Sequence, residues 1–220
     1  MRALVIGASG GIGGALAARL GADGAEVVAL SRSADGLDVT DERSVAAALG
    51  RLEGAFELVL VATGGLRIDG QEPEKTLKSL DASRLAAQFA LNATGPLLVL
   101  KHALRLMPRD RRAVFAALSA RVGSIGDNRA GGWYGYRAAK AALNQLLRTA
   151  AIELARTHPR AVVVALHPGT VATPLTERYL GRHPAVPPET SADNLLRVLS
   201  DLTPEDSGGF RDWAGKEIAW

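Results

Sequence analysis

Five short apolar runs, each followed by a stretch of helical character or by a loop leading into one, constrain this chain more than any other feature of its sequence. The runs are RALVIG (2–7), EVVALS (26–31), ELVLVA (57–62), AVFAAL (113–118) and AVVVAL (161–166). They are continuously apolar rather than alternating, as in strands buried on both faces of a parallel sheet. Ala- and Leu-rich segments at 11–22, 41–52, 80–107 and 134–157 read as helices. PPETSADNLLRVL opens one more, out of the Pro-rich loop 182–191. This alternation predicts one α/β domain over residues 1–220, a doubly wound parallel sheet with helices on both faces. Ligands of such a sheet bind outside the carboxyl ends of the strands, near the switch in strand order. The loops that follow the strands are therefore the places to look for chemistry.

Composition narrows the possibilities. A chain of 220 residues suits one domain with a sizeable core, and 47% hydrophobic with 22% charged residues is ordinary for a globular protein. No apolar run is long enough to span a membrane, and the first breaks into glycines too early for a signal peptide, so a cytoplasmic protein is expected. The absence of cysteine excludes disulfides and thiolate metal sites, and His102, His158, His167 and His183 lack metal-ligand spacing, so no metal is expected. The net charge of +3 is modest, and the basic cluster RDRR (109–112) has no interleaved aromatics. It reads as a solvated loop, and no nucleic-acid partner is expected.

The first strand ends in GASGGIGGAL. Glycine tolerates positive φ and lets a phosphate approach the backbone, and the helix that follows points free N–H groups and its dipole at an anion. The order strand, glycine loop, helix predicts dinucleotide binding and a Rossmann-type fold, with Gly7, Ser9, Gly11, Ile12 and Gly13 at the cofactor. The second strand ends in Ser31 and Arg32, with no acid there for ribose hydroxyls. An arginine suits a 2′-phosphate, so NADP(H) is favoured over NAD(H).

WYGYRAAKAALNQ (133–145) then sets Tyr136 and Lys140 one helical turn apart, in a chain with only three tyrosines and five lysines. Such a pair arises by chance about once in fifteen chains of this composition and decides nothing alone. Together with other motifs it resembles the short-chain dehydrogenase/reductase family, in its compact single-domain branch, from Met1 to Trp220. GASGGIG resembles that family's cofactor loop. LDVTD (37–41) resembles its adenine segment, implying contacts from Asp38 and Val39. LNATGP (91–96) resembles its mid-helix motif and makes Asn92 the active-site asparagine. Tyr136 and Lys140 match YxxxK, and HPGTVAT (167–173) places Pro168, Gly169, Val171 and Thr173 along the nicotinamide and pyrophosphate. RVGSIGDN (121–128) and the C-terminal DSGGFRDWAGKEIAW resemble a C-factor-like, carbonyl-reductase-like subgroup of bacteria.

The resemblance implies NADP(H)-dependent reduction of an aldehyde or ketone, or the reverse, with Tyr136 as general acid/base. Lys140 and the positive nicotinamide of the oxidised cofactor would lower the phenol pKa from about 10, and Lys140 would also bond the nicotinamide ribose. It implies a homodimer or homotetramer, with helices 80–107 and 134–157 at symmetry interfaces. The chain departs from the family in two places. VATGG (61–65) stands where NNAG is usual, leaving Ala62, Thr63 and Gly64 to face the cofactor. Aligned on Gly123, the substrate-binding serine position holds Ala120. Ser119, one residue earlier, is the expected catalytic serine, with Ser124 its rival and no serine at all the third reading. The substrate pocket is expected behind the loop 174–190. An NADP-binding signalling protein with little turnover is the alternative function; an epimerase or dehydratase of the extended branch would need a larger C-terminal substrate domain.

Overall fold

A computed structural model of the chain describes residues 1–180 and 184–220. Among these residues six strands form one sheet: β1 (Arg2–Ile6), β2 (Glu26–Leu30), β3 (Leu58–Val61), β4 (Ala113–Leu118), β5 (Ala161–His167) and β6 (Phe210–Asp212). Their order is β2-β1-β3-β4-β5-β6, and every neighbouring pair is parallel. The chain moves outward from β1 to β2, then returns to lay β3 on the other side of β1. The switch in strand order therefore falls between β1 and β3, opening a crevice above Gly7 and Ala62.

Alternate side chains of each strand feed two cores. Ala3, Val5, Leu60, Val114 and Val164 pack against Leu16 and Leu20 of α1 (Gly11–Ala22) and against α7 (Pro188–Asp201). Leu4, Ile6, Val59, Phe115 and Val163 pack on the opposite face with α3 (Glu42–Gly50), α5 (Gly95–Ala103) and α6 (Tyr134–Leu154). The short α2 (Arg32–Asp35) follows β2, and α4 (Ala82–Phe89) precedes α5.

The structure departs from the sequence reading in two places. The single helix expected over 80–107 is broken: a π-helical turn, Ala90–Thr94, separates α4 from α5, and Leu104–Leu106 closes the segment as a 3-10 turn. Pro96 gives the physical reason. It lacks the N–H that an α-helix would direct at the carbonyl of Asn92, and Gly95 N–H instead reaches back five residues to Ala90 O. The edge strand β6 carries no apolar run, since only Phe210 of its three residues enters the core. Arg211 pairs with Asp206, and Asp212 accepts from the backbone of Ala214 and Lys216.

The β1–α1 turn depends on two glycines. Gly7 has φ +89°, and a Cβ at Gly13 would sit 2.2 Å from Gly7 O. Gly21, in the same helix, has nothing within 4 Å of its would-be Cβ. Alanine is favoured over glycine in a helix by about 1 kcal/mol, so Gly21→Ala is expected to raise the melting temperature slightly. Gly13→Ala should lower it, the clash with backbone outweighing propensity by roughly 1–3 kcal/mol. Thermal melts of the two variants give opposite signs if this turn is as tight as it stands.

Candidate active site

The crevice at the switch point has two adjoining halves that share Ser9, Gly10, Ala62, Thr63 and Gly64. One half, about 230 Å³, is lined by Gly7, Ser31, Arg32, Asp38 and Val39. The other, about 350 Å³, is lined by Gly11, Ile12, Ser119, Tyr136, Lys140, Pro168 and Thr173. A third cavity of about 270 Å³ adjoins the second and shares Ile12, Ser119, Tyr136, Pro168, Thr173 and Leu175 with it.

The residues expected at a cofactor thus divide. Gly7, Ser9, Gly11, Ile12, Ser31, Arg32, Asp38, Val39, Ala62, Thr63, Gly64, Tyr136, Lys140, Pro168 and Thr173 line the two-part crevice. Gly13 lies behind it, packed on Gly7 O. Gly169 and Val171 line the third cavity instead, with Gly169, at φ +80°, pressed against Trp213.

The protein groups present fit a dinucleotide. α1 is preceded by Gly10 as N-cap, with no side-chain cap and no acid in its first turn, so the positive end of its dipole is not neutralised there. Thr63 Oγ1 is buried between the two halves of the crevice with no hydrogen-bond partner. Arg32 stands at the far end and makes no ion pair among the described residues, while Ser31 is the N-cap of α2 and accepts from Ala34 N. Asp38 Oδ1 is already engaged by the amide and hydroxyl of Thr40 at 2.8 and 2.7 Å, bonds that hold its carboxyl below the usual range.

At the other end, α6 places Tyr136 and Lys140 one turn apart. Lys140 is 3% exposed, its Nζ donates to Leu118 O at 2.8 Å, and it lies 5.7 Å from the Tyr136 ring centroid. Burial pulls its ammonium down to about 7 and pushes the Tyr136 phenol up to about 12. The protein's own groups therefore move the phenol opposite to the expected direction, because loss of water outweighs the nearby lysine.

Asn92 sits in the π turn, fully buried, and clasps one residue twice. Its Oδ1 accepts from Gly65 N at 3.1 Å and its Nδ2 donates to Gly65 O at 2.9 Å. Gln88, one turn earlier, accepts from the same Nδ2 at 2.6 Å and donates to Leu66 O at 2.9 Å. This pair braces the loop after β3, where the sequence lacks the usual asparagines. Sequence reasoning missed Gln88, although Gln and Asn at i,i+4 on an apolar helix were a legible signal. It also missed Glu74, buried, whose carboxylate accepts from Gly135 N at 3.1 Å and whose carbonyl accepts from Trp133 N at 2.5 Å.

The serines are placed differently from each other. Ser119 lines both the second and the third cavity, and its buried Oγ donates to Asn144 Oδ1 at 2.6 Å. Ser124 Oγ accepts from Asp127 N at 3.1 Å and lines none of the three cavities.

The third cavity is walled by Leu66, Val122, Trp133, Leu175 and Tyr179 and carries no Asp, Glu, Lys or Arg side chain among its described lining residues. His167 is its one titratable nitrogen base, pulled down to about 4 by burial and by Arg121, and so uncharged at neutral pH. Of the loop expected to form this wall, residues 181–183 lie outside the described residues.

Comparison with known proteins agrees with this geometry. A family model described as enoyl-(acyl carrier protein) reductase matches residues 7–208. A 1-hydroxy-2-glutathionyl-2-methyl-3-butene dehydrogenase of a Rhodococcus species is 33% identical over 99% of this chain and 98% of its own. The C-signal protein of Myxococcus xanthus is 37% identical over 66% of this chain and 83% of its own. Among solved structures, a Burkholderia multivorans short-chain dehydrogenase/reductase with bound NADP superimposes with TM-score 0.82 at 25% identity, covering 100% of this chain and 99% of that one. An NADPH-bound carbonyl reductase from chicken fatty liver gives TM-score 0.82 at 26% identity, covering 100% and 94%. The glycine loop, the braced Asn92, the Tyr136–Lys140 pair and these matches lead to one conclusion: the chain belongs to the short-chain dehydrogenase/reductase family of NAD(P)-dependent oxidoreductases.

Proposed function

We propose that this protein is an NADPH-dependent carbonyl reductase acting on uncharged aldehydes or ketones, with Tyr136 as the proton donor. The observation that carries the reading is that Tyr136 lines both the half-crevice fitted to a nicotinamide and the apolar cavity beside it. The bound nicotinamide supplies the hydride. The phenol gives its proton to the carbonyl oxygen, and a group with its pKa near 12 holds that proton across the neutral range. Lys140, charged when protonated, stabilises the phenolate left behind and bonds the ribose. The walls of the apolar cavity exclude water from the reacting atoms.

Three further features of the reading rest on specific residues. Arg32, unpaired at the crevice end, selects the 2′-phosphate and hence NADPH. Phe89 and Ile152, 38% and 56% exposed in the α4–α6 layer, belong to a homodimer or homotetramer interface, which sedimentation at micromolar concentration tests. With no helix among the described residues long and apolar enough to cross a membrane, the setting proposed is the cytoplasm. The likeness to C-signal favours a second reading, an NADP-binding signalling protein. The intact Tyr136 and Lys140 argue against it, and measurable turnover decides.

Tyr136→Phe keeps the ring and its packing. Turnover of an accepted carbonyl should fall by about 10²–10⁴-fold with NADPH affinity little changed. Near-normal turnover would remove the mechanism. Lys140→Ala should lower affinity and rate together. NADPH affinity of the parent should also weaken as pH rises above about 7, where the free protein's Lys140 loses its proton, and Lys140→Ala should abolish that slope.

Cofactor choice is tested with Arg32→Asp. A charge-assisted contact is worth about 1.5–3 kcal/mol, so NADPH should bind roughly 10–100-fold more weakly while NADH changes little. Equal affinity of the parent for both cofactors contradicts this assignment. The uncharged cavity predicts that a neutral aldehyde is reduced at least about tenfold faster, by kcat/KM, than its carboxylate-bearing analogue, since an unpaired buried charge is costly. A preference for the anion would sink it.

A further inference from the structure

Tyr136, Lys140 and Asn144 follow one another at i, i+4 and i+8 along a single face of α6, yet the mechanism above uses only the first two. Asn144 is 2% exposed. Its Oδ1 takes the only proton of Ser119, while its Nδ2 is buried with no acceptor. Orphaned buried N–H groups are rare, and the two ends of a carboxamide exchange places by a half-turn. After that turn Nδ2 would donate to Ser119 Oγ, settling a few tenths of an ångström further away as an N–H···O bond requires. The Ser119 proton would then be released from Asn144, in a residue that lines both cavities.

We propose that Asn144 is a positioning residue whose amide orientation decides whether Ser119 donates its proton to the protein or to the substrate carbonyl. The proposal rests on the carbonyl-reductase reading. It answers a need the chain creates: Ala120 occupies the position expected for the serine, and Ser124 is committed to Asp127 N away from the cavities. With substrate present, the carbonyl oxygen would receive two donors, Tyr136 and Ser119. Asn144 would stand behind Ser119 as the donor that frees it.

Asn144→Asp tests this at nearly constant volume. An ionised carboxylate only accepts, so it holds the Ser119 proton permanently. Asn144→Asp and Ser119→Ala should each lower kcat by about 10²-fold, the scale of one lost donor to a developing oxyanion, with NADPH affinity unchanged. The Ser119→Ala/Asn144→Asp double variant should be no slower than Ser119→Ala. Asn144→Ala, which neither captures nor orients the proton, should be faster than Asn144→Asp, and it serves as a second probe if the aspartate variant does not fold. If Asn144→Asp slows the Ser119→Ala background as much as the parent, it acts through Lys140 or through packing, and the proposal falls. Parental kcat in Ser119→Ala also overturns it, while Tyr136→Phe impairment in the same assay leaves the carbonyl-reductase reading standing. A parent protein that turns over no carbonyl across aldehydes, ketones and quinones overturns both.

Discussion

A buried ammonium organises this molecule. Lys140 reaches Leu118 O at the end of β4, and among the described residues that carbonyl is its one hydrogen-bond acceptor. Moving its pKa from 10.5 to about 7 means that a proton on Nζ costs the folded chain on the order of 5 kcal/mol relative to water. The whole cost is present below about pH 7 and declines as pH rises toward the unfolded value. A group this costly is retained where it does something, and the surrounding backbone is shaped around it. A Cβ at Gly123 would lie 2.8 Å from Lys140 Cβ, and one at Gly64 would lie 3.4 Å from Nζ and 3.0 Å from Asn92 Oδ1. The loops after β3 and β4 therefore close on the lysine from two sides, and Asn92 fixes the first of them through Gly65.

The same burial holds the proton on Tyr136. A phenol pushed up to about 12 beside an amine pulled down to about 7 keeps its proton across the neutral range. Whichever way hydride moves, a phenolate would have to form against that desolvation, and the protein's own positive charge on Lys140 only partly offsets it. The added charge of an oxidised nicotinamide would be needed as well.

Much of this was legible in the sequence because backbone constraints leave marks. Continuous apolar runs gave five strands of the sheet, and the glycine spacing after β1 located the crevice. The Tyr136–Lys140 spacing placed both side chains on one face of α6. What was not legible depends on contacts between distant segments. β6 is held by ion pairs and turns rather than by an apolar run. The π turn follows from Pro96 but looks like continuous helix in a periodicity count. Glu74 acts on a backbone atom 61 residues away, and no local pattern reports that; the spacing of Gln88 to Asn92 was legible, but its bond to Leu66 O, 22 residues away, was not. The motif around Gly169 and Val171 did not report the turn that sets them on the neighbouring cavity.

Glu74 shows how the wall of the apolar cavity and Tyr136 are made one unit. Trp133, just before α6, has the left-handed φ of 52°, which costs a bulky residue about 1–3 kcal/mol. Its N–H bonds Glu74 O, its ring stands edge-on to Tyr179 at 5.1 Å and to Tyr136 at 6.4 Å, and the Tyr179 hydroxyl donates to Glu72. The carboxylate of Glu74 meets the positive end of the α6 dipole through Gly135 N. Residues 72–74, Tyr179 and the first turn of α6 are thus tied into a single arch over the apolar cavity, with Tyr136 inside it. A side chain that changes the shape of that arch also moves the phenol. The shape of the cavity and the placement of Tyr136 therefore cannot vary independently here, since the strained Trp133 that walls the cavity is also the N-cap of α6.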